Sequence, residues 1–172
     1  MARWAVMCPG PSASAADAER IHAAGIPIGA VGCAYQLAPF ASFVASSDAA
    51  WWKRYPDAMA MACPKYAMHP VGGTGRIKVP TPWAVCNSGV LGLECAKQQG
   101  ATEILLMGAD MHGTHFFGPY DNGLTNTNEK KRKTHARQYE QWARANAAVR
   151  VINITPGSAL TCFPMSTIEA EL

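Results

Sequence analysis

The amino-acid sequence predicts a single α/β domain of three layers, in which a mostly parallel β-sheet carries helices on both faces. Three observations predict it. Short apolar runs alternate with segments of helical spacing along nearly the whole chain. Most of those runs end directly in Gly, Ser, Asn or Asp, the residues of short loops and helix starts. The length of 172 residues, 49% of them hydrophobic and 16% charged, suits one core and one domain and leaves no composition bias toward disorder.

The first apolar run, Trp4-Ala5-Val6-Met7, meets the turn Cys8-Pro9-Gly10-Pro11-Ser12 and then an Ala, Asp and Glu-rich helix begun near Ser12 or Ser14. Gly25 ends that helix, and residues 26–31 supply the next strand. Tyr35-Gln36-Leu37-Ala38-Pro39 reads as a loop or short helical turn. Residues 43–46 form a third strand, ending in Ser47-Asp48 ahead of a short helix with Trp51 and Trp52. Residues 56–82 are rich in Pro and Gly and predict an irregular excursion of strand fragments and loop.

Asn87 or Ser88 caps an apolar helix that Gly100 closes, and Glu103-Ile104-Leu105-Leu106-Met107-Gly108 is the clearest buried strand. It opens into Ala109-Asp110-Met111-His112-Gly113-Thr114-His115, where polar chemistry concentrates. A polar loop is expected over 113–133, an amphipathic helix over 135–148, a last strand over 149–154, and then the loop Thr155-Pro156-Gly157-Ser158. Strand-helix alternation of this kind is the Rossmann-like arrangement, built through right-handed crossovers. Its ligands bind beyond the carboxyl ends of the strands.

A formal charge of +3 is too small to mark the chain as a nucleic-acid binder. Six cysteines without a CxxC pair read as reduced core thiols of a cytoplasmic protein. Arg3 interrupts the opening run, and no run approaches the roughly 18 residues of a membrane span, so neither a signal peptide nor a membrane is expected.

The loop holding Gly10, Pro11 and Ser12 lacks the GxGxxG dinucleotide fingerprint. It reads either as a tight turn or as a phosphate cradle of backbone amides and the Ser12 hydroxyl at a helix start. Asn87, Ser88 and Gly89 carry the same two readings. Asp110, His112 and His115 have the donor types of a metal site, but in a turn that does not fix their spacing, and no metal is expected. His115 and His135 are the candidates for acid-base work. The basic run Lys130-Lys131-Arg132-Lys133 reads first as a solvated helix start. Trp51 and Trp52 read as core, with stacking on a base or sugar as the other option.

The segment from Asn87 to Asp110 resembles the Ser-Gly helix, strand and Gly-x-Asp unit of bacterial sialyltransferases that use CMP-sialic acid without a metal. It is equally similar to the superfamily of the archaeal 6-hydroxymethyl-dihydropterin pyrophosphokinase and the motility-accessory proteins, which includes domains of unassigned function. Pro9-Gly10-Pro11-Ser12 is similar to their Gly-x-Gly-Pro-Ser loop, with Cys8 and Pro9 replacing a small residue and Asn. Tyr35-Gln-Leu-Ala-Pro39, Ser47-Asp48-Ala-Ala-Trp-Trp52, Thr114-His115-Phe-Phe-Gly118 and Cys162-Phe-Pro164 resemble a group of bacteriophage and prophage proteins.

The resemblance implies that Ser12, Ser88, Gly89, Gly108 and Ser158 lie around nucleotide phosphates or a sugar carboxylate, with Asp48 and Asp110 at the floor. It brings His135 to within about one helical turn of the sialyltransferase base. Cys33 or Ala34 stands where those enzymes carry an asparagine. The function implied is a phage-encoded, glycosyltransferase-like transferase that uses a nucleotide-activated donor and needs no cofactor, in the cytoplasm of a bacterial host. The alternatives are a pyrophosphokinase or other phosphoryl transferase with Mg²⁺ held by Asp110 and Asp48, and a non-catalytic nucleotide-binding or accessory protein. The partner is then a nucleotide or nucleotide sugar. Nucleic acid as acceptor, contacted by residues 130–133, and homo-oligomerisation remain open.

Overall fold

The structure, a computed structural model, describes residues 2–77 and 86–172. Met1 and residues 78–82 of the expected excursion lie outside the described residues. Strand β1 (Arg3–Met7) leads to helix α1 (Ala15–Ala23), β2 (Ile28–Val31), a 3-10 turn (Gly32–Gln36) and β3 (Phe43–Ala45). Two short helices follow, α2 (Ala49–Arg54) and α3 (Pro56–Ala60), and then β4 (Lys65–Ala67) and β5 (Gly75–Arg76). The second half holds α4 (Ser88–Gln98), β6 (Glu103–Met107), α5 (Glu129–Ala145), β7 (Arg150–Asn153) and α6 (Ile168–Glu171).

The strands form one sheet in the order β5-β4-β3-β2-β1-β6-β7, and every pairing is parallel. The chain is therefore an α/β Rossmann-like fold. Side chains alternate across the sheet, so each central strand feeds two cores. In β1 and β6, Val6, Ile104 and Leu106 enter the layer with Leu91, Leu93, Tyr139 and Trp142 of α4 and α5. Ala5, Met7, Leu105 and Met107 enter the opposite layer with Ile21 of α1 and Trp51 and Trp52 of α2. Burial on both faces explains why these strands read as continuous apolar runs.

Register brings the strand exits together. Met7 pairs with Ala30 and with Met107, Val31 pairs with Ala45, and Leu106 pairs with Asn153. The next residues of β1, β2, β3 and β6, namely Cys8, Gly32, Ser46 and Gly108, therefore leave the sheet along one rim. The order reverses at β1, whose neighbours β2 and β6 are wound in opposite directions, which opens the crevice where such sheets bind ligands.

One expectation needs revision. The helix expected over 135–148 begins at Glu129 and ends at Ala145, so the polar loop stops at Asn128, and the basic run, read as a solvated helix start, lies in the first turns of α5. Asn128 Oδ1 accepts the Lys131 N–H at 2.9 Å, and Glu129 pairs with Lys133 one turn on at 3.1 Å. Cap and ion pair start the helix where no apolar periodicity announces it. Within the excursion, β4 and β5 are short strand fragments of three and two residues, and they extend the parallel sheet beyond β3.

All six cysteines are free thiols, and Cys8, Cys33, Cys86 and Cys95 are buried. Among the described residues, no helix is long and apolar enough to cross a membrane.

Candidate functional site

A cavity of about 760 Å³ opens on the rim where β1, β2, β3 and β6 end. This is within the roughly 300–1,000 Å³ of small-molecule sites. Gly10, Asp48, Asn87, Ser88, Gly89, Gly108, Asp110, His115 and His135 all line it. Pro11, Ser12 and Ser158 are not among its lining residues.

The start of α4 forms one wall. Asn87 Oδ1 accepts the Val90 N–H at 3.0 Å, and the Asn87 carbonyl accepts that of Leu91 at 3.2 Å. Helix geometry then gives the Ser88 and Gly89 amides no partner within α4. Beside them, the Ser47 N–H donates to Ser88 Oγ at 2.9 Å, and the two serine hydroxyls lie 3.0 Å apart. The exit of β3 and the start of α4 thus present two hydroxyls and two amides together.

Helix α5 forms the facing wall, with Lys131, His135, Gln138 and Tyr139 on the cavity. Gln138 Oε1 accepts both the Asn87 backbone N–H at 2.8 Å and the Asn87 Nδ2 amide at 2.9 Å. That double bond latches α5 to the α4 cap and places His135, one turn earlier, beside the helix start. Tyr139 is buried, its Oη 3.7 Å from Cys8 Sγ. A Cβ on Gly89 would lie 1.7 Å from that Oη, so only glycine allows α4 to approach α5 this closely. Burial pushes the Cys8 thiol up to about 12, with Tyr139 lowering it and Asp110 raising it, so Cys8 stays protonated.

The loop after β1 does something other than face the cavity with its donors. Ser12 Oγ donates to Asp110 Oδ2 at 2.9 Å, and the Ser12 N–H lies 3.3 Å from each Asp110 oxygen. The anion held by this loop is the protein's own carboxylate, which is 3% exposed. A Cβ on Gly10 would meet Asp110 Oδ2 at 2.1 Å, which requires glycine there. Ser158 lies behind the same turn. Its Oγ donates to the Ala109 carbonyl at 2.6 Å and accepts the Leu160 N–H at 3.1 Å. Ser12 and Ser158 brace the Ala109-Asp110 turn from outside the cavity. Met111, next on the wall, holds φ at 59°, a strained backbone for a side chain of its size.

Asp48 lines the cavity while its Oδ1 caps α2 through the Ala50 N–H at 2.8 Å. His115 Nδ1 lies 3.2 Å from the Gly118 carbonyl, which can only accept, so Nδ1 carries the proton and Nε2 keeps its lone pair. Its ring stacks on Phe117 at 4.8 Å and meets Tyr120 at 4.4 Å. Burial lowers the pKa of His115 against a smaller rise from Gly118, and burial with Lys131 lowers that of His135.

Lys131, Ser47, Gln138, Tyr139 and Tyr120 are cavity residues that sequence reading did not single out. Lys131 was legible only within the basic run, read first as a solvated helix start and second as a phosphate or nucleic-acid contact. Tyr139 carries an apolar-face signal, and Tyr120 has no local pattern at all. His112 also lines the cavity, with Nε2 3.2 Å from the Gly157 carbonyl. Among the described residues, no three His, Cys, Asp or Glu side chains are grouped as a metal site would require. Comparison of the chain with family models, with curated proteins and with solved structures gives no match.

Proposed function

We propose that this chain is a transferase that binds a nucleotide-activated donor in the rim cavity and moves its activated group, a glycosyl group, to an acceptor hydroxyl. One observation carries the reading. The Ser88 and Gly89 amides, the Ser47 and Ser88 hydroxyls, Lys131 and His135 share a single cavity at the strand-order reversal. Amides at a helix start and an ammonium group stabilise phosphate charge, and the helix-start amides and the paired Ser47 and Ser88 hydroxyls are held in place before any ligand arrives. The Asn87 to Asp110 segment resembles CMP-sialic-acid-using sialyltransferases and the pyrophosphokinase superfamily equally, so the preference for glycosyl transfer rests on the Asp48 and Asp110 oxygens being already engaged within the protein.

His135 takes the proton of the acceptor hydroxyl as the new C–O bond forms at the sugar carbon. The bond from that carbon to the donor phosphate breaks, and the phosphate leaves with the electron pair, met by residues 88–89 and Lys131. The lowered pKa of His135 keeps it neutral and able to accept.

Mg²⁺-dependent phosphoryl transfer is the second reading, favoured by the presence of Asp48 and Asp110 on the same cavity. Two carboxylates suit Mg²⁺, which would neutralise charge on the transferred phosphoryl group. Against it, both Asp110 oxygens already face Ser12 and Asp48 Oδ1 already caps α2.

A thermal-shift screen against nucleotides and nucleotide sugars, with Mg²⁺ or with EDTA, followed by product analysis, separates the readings. Saturating donor at about 100 times Kd adds about 2.7 kcal/mol to stability. The lead reading expects a shift and turnover in EDTA, with His135→Gln abolishing turnover but retaining the shift. A strict Mg²⁺ requirement transfers support to phosphoryl transfer. Binding without any product favours the non-catalytic accessory role. No shift with any nucleotide rejects all three.

A further inference from the structure

The cavity also carries aromatic rings whose chemistry the transfer step does not use, those of Tyr120, His115 and Trp51. We infer that this aromatic group is the stacking subsite for the base of a nucleoside phosphate, with Tyr120 as its principal platform. The inference rests on the reading of the cavity as a nucleotide-donor site, and it assigns the base its partner.

The first support is how firmly the loop before α5 holds Tyr120. Asn126 Oδ1 accepts the Tyr120 N–H at 2.7 Å, and Asn126 Nδ2 donates to the Tyr120 carbonyl at 3.0 Å. One amide side chain therefore pins both backbone groups of a loop residue. The Tyr120 hydroxyl lies 3.8 Å from Cys33 Sγ, which also accepts the Trp51 Nε1–H at 3.3 Å. Asn122 Nδ2 donates to Tyr55 Oη at 3.1 Å, and Arg132 donates to the Gly113 carbonyl at 2.5 Å, fastening the loop at two further points. A fixed ring loses little freedom when a ligand stacks on it, which is how rigid aromatics contribute affinity.

The second support is that one cavity carries two kinds of group. The amides, hydroxyls and ammonium that suit phosphate come from the exit of β3 and the starts of α4 and α5. The rings come from α2 and the loop before α5, with the Tyr120 hydroxyl against Cys33 of the 3-10 turn. Tyr120 and His115 are each half-buried, their rings 4.4 Å apart and tilted by 52°. Phe117 lies flat on His115 at 3°, which fixes the imidazole plane. A ligand that engages both kinds of group carries an anion and a flat, weakly polar ring, which is the description of a nucleoside phosphate. Stacking tolerates any base because every base has a π-face, so these rings recognise the nucleoside without choosing among bases.

The test is calorimetric titration of the full chain with CMP, UMP and AMP, and with inorganic pyrophosphate as a probe that has no ring. Tyr120→Phe keeps the face and Tyr120→Leu keeps the bulk alone. The expected result is that Tyr120→Leu weakens each binding nucleotide by about tenfold, that Tyr120→Phe stays near wild type, and that pyrophosphate binds all three proteins alike. Equal nucleotide affinity in the Phe and Leu variants overturns the subsite. So does a parallel loss of pyrophosphate, which marks a merely structural tyrosine. If nucleotide affinity falls in Lys131→Ala but not in Tyr120→Leu, the donor-site reading stands and this inference fails alone. If wild type binds no nucleotide, both fail.

Discussion

His115 and His135 reach the cavity from different elements, and burial lowers both imidazole pKa values. The folded chain therefore favours the neutral ring, while the unfolded chain takes up a proton as pH falls past the ordinary value of about 6.5. Stability from these groups is present above that pH and declines below it as the unfolded state binds the extra protons. Denaturation measured from pH 7.5 to 5 should show this slope in wild type and a flatter one in the His115→Gln, His135→Gln double variant. An unchanged slope in the variant would assign the pH dependence elsewhere. Glu103 acts in a separate window. Burial raises its carboxyl, Arg3 and Arg150 outweigh that and hold it below its usual range, and its contribution is lost only as pH falls below about 4.3. Other residues had roles the sequence suggested in kind but not in target. Ser12 has the hydroxyl and helix-start position of a phosphate ligand, yet its partner is Asp110, which stands 98 residues away in the chain.

Local rules made most elements legible. Ser14 caps α1 by accepting the Asp17 N–H at 3.1 Å, and Gly25 follows the helix with φ at 74°, both readable from residue type. The start of α5 was not readable from periodicity, because its first turns face solvent and carry no apolar face. The cap at Asn128 is the physical start signal, and removing it tests that account. Asn128→Ala should cost about 1 kcal/mol in urea denaturation and should loosen Lys131, which follows it by one turn. A change near zero would show that the loop and the Arg132 bonds to the Gly113 and Thr127 carbonyls hold the helix start unaided. At the other end of α5, Asn146 Nδ2 donates to the Trp142 carbonyl at 2.9 Å and stops the helix short of the expected 148.

Stability should not be uniform across the whole molecule. Strand β1 lies between β2 and β6 with Ala5, Val6 and Met7 fully buried, whereas β5 is the edge strand among the described residues, with Gly75 and Arg76 exposed. Amide hydrogen exchange should therefore place β1 and β6 at the global unfolding free energy, with β5 exchanging through local opening. Protection of β5 equal to that of β1 would mean that a further strand or a second copy covers the edge.

The amino-acid sequence by itself determined the alternation of strands and helices, the parallel sheet, the caps and the cluster of polar loops at strand ends, because each follows from periodicity and residue type over a few neighbours. Only the tertiary structure decided which loop residues share the cavity. Parallel register aligned the exits of β1, β2, β3 and β6, the Gln138 bonds to Asn87 drew Lys131 and His135 onto the site, and the Asp110 carboxylate turned Ser12 away from it. Those contacts join residues tens of positions apart, and their partners are set by packing, which no local pattern encodes.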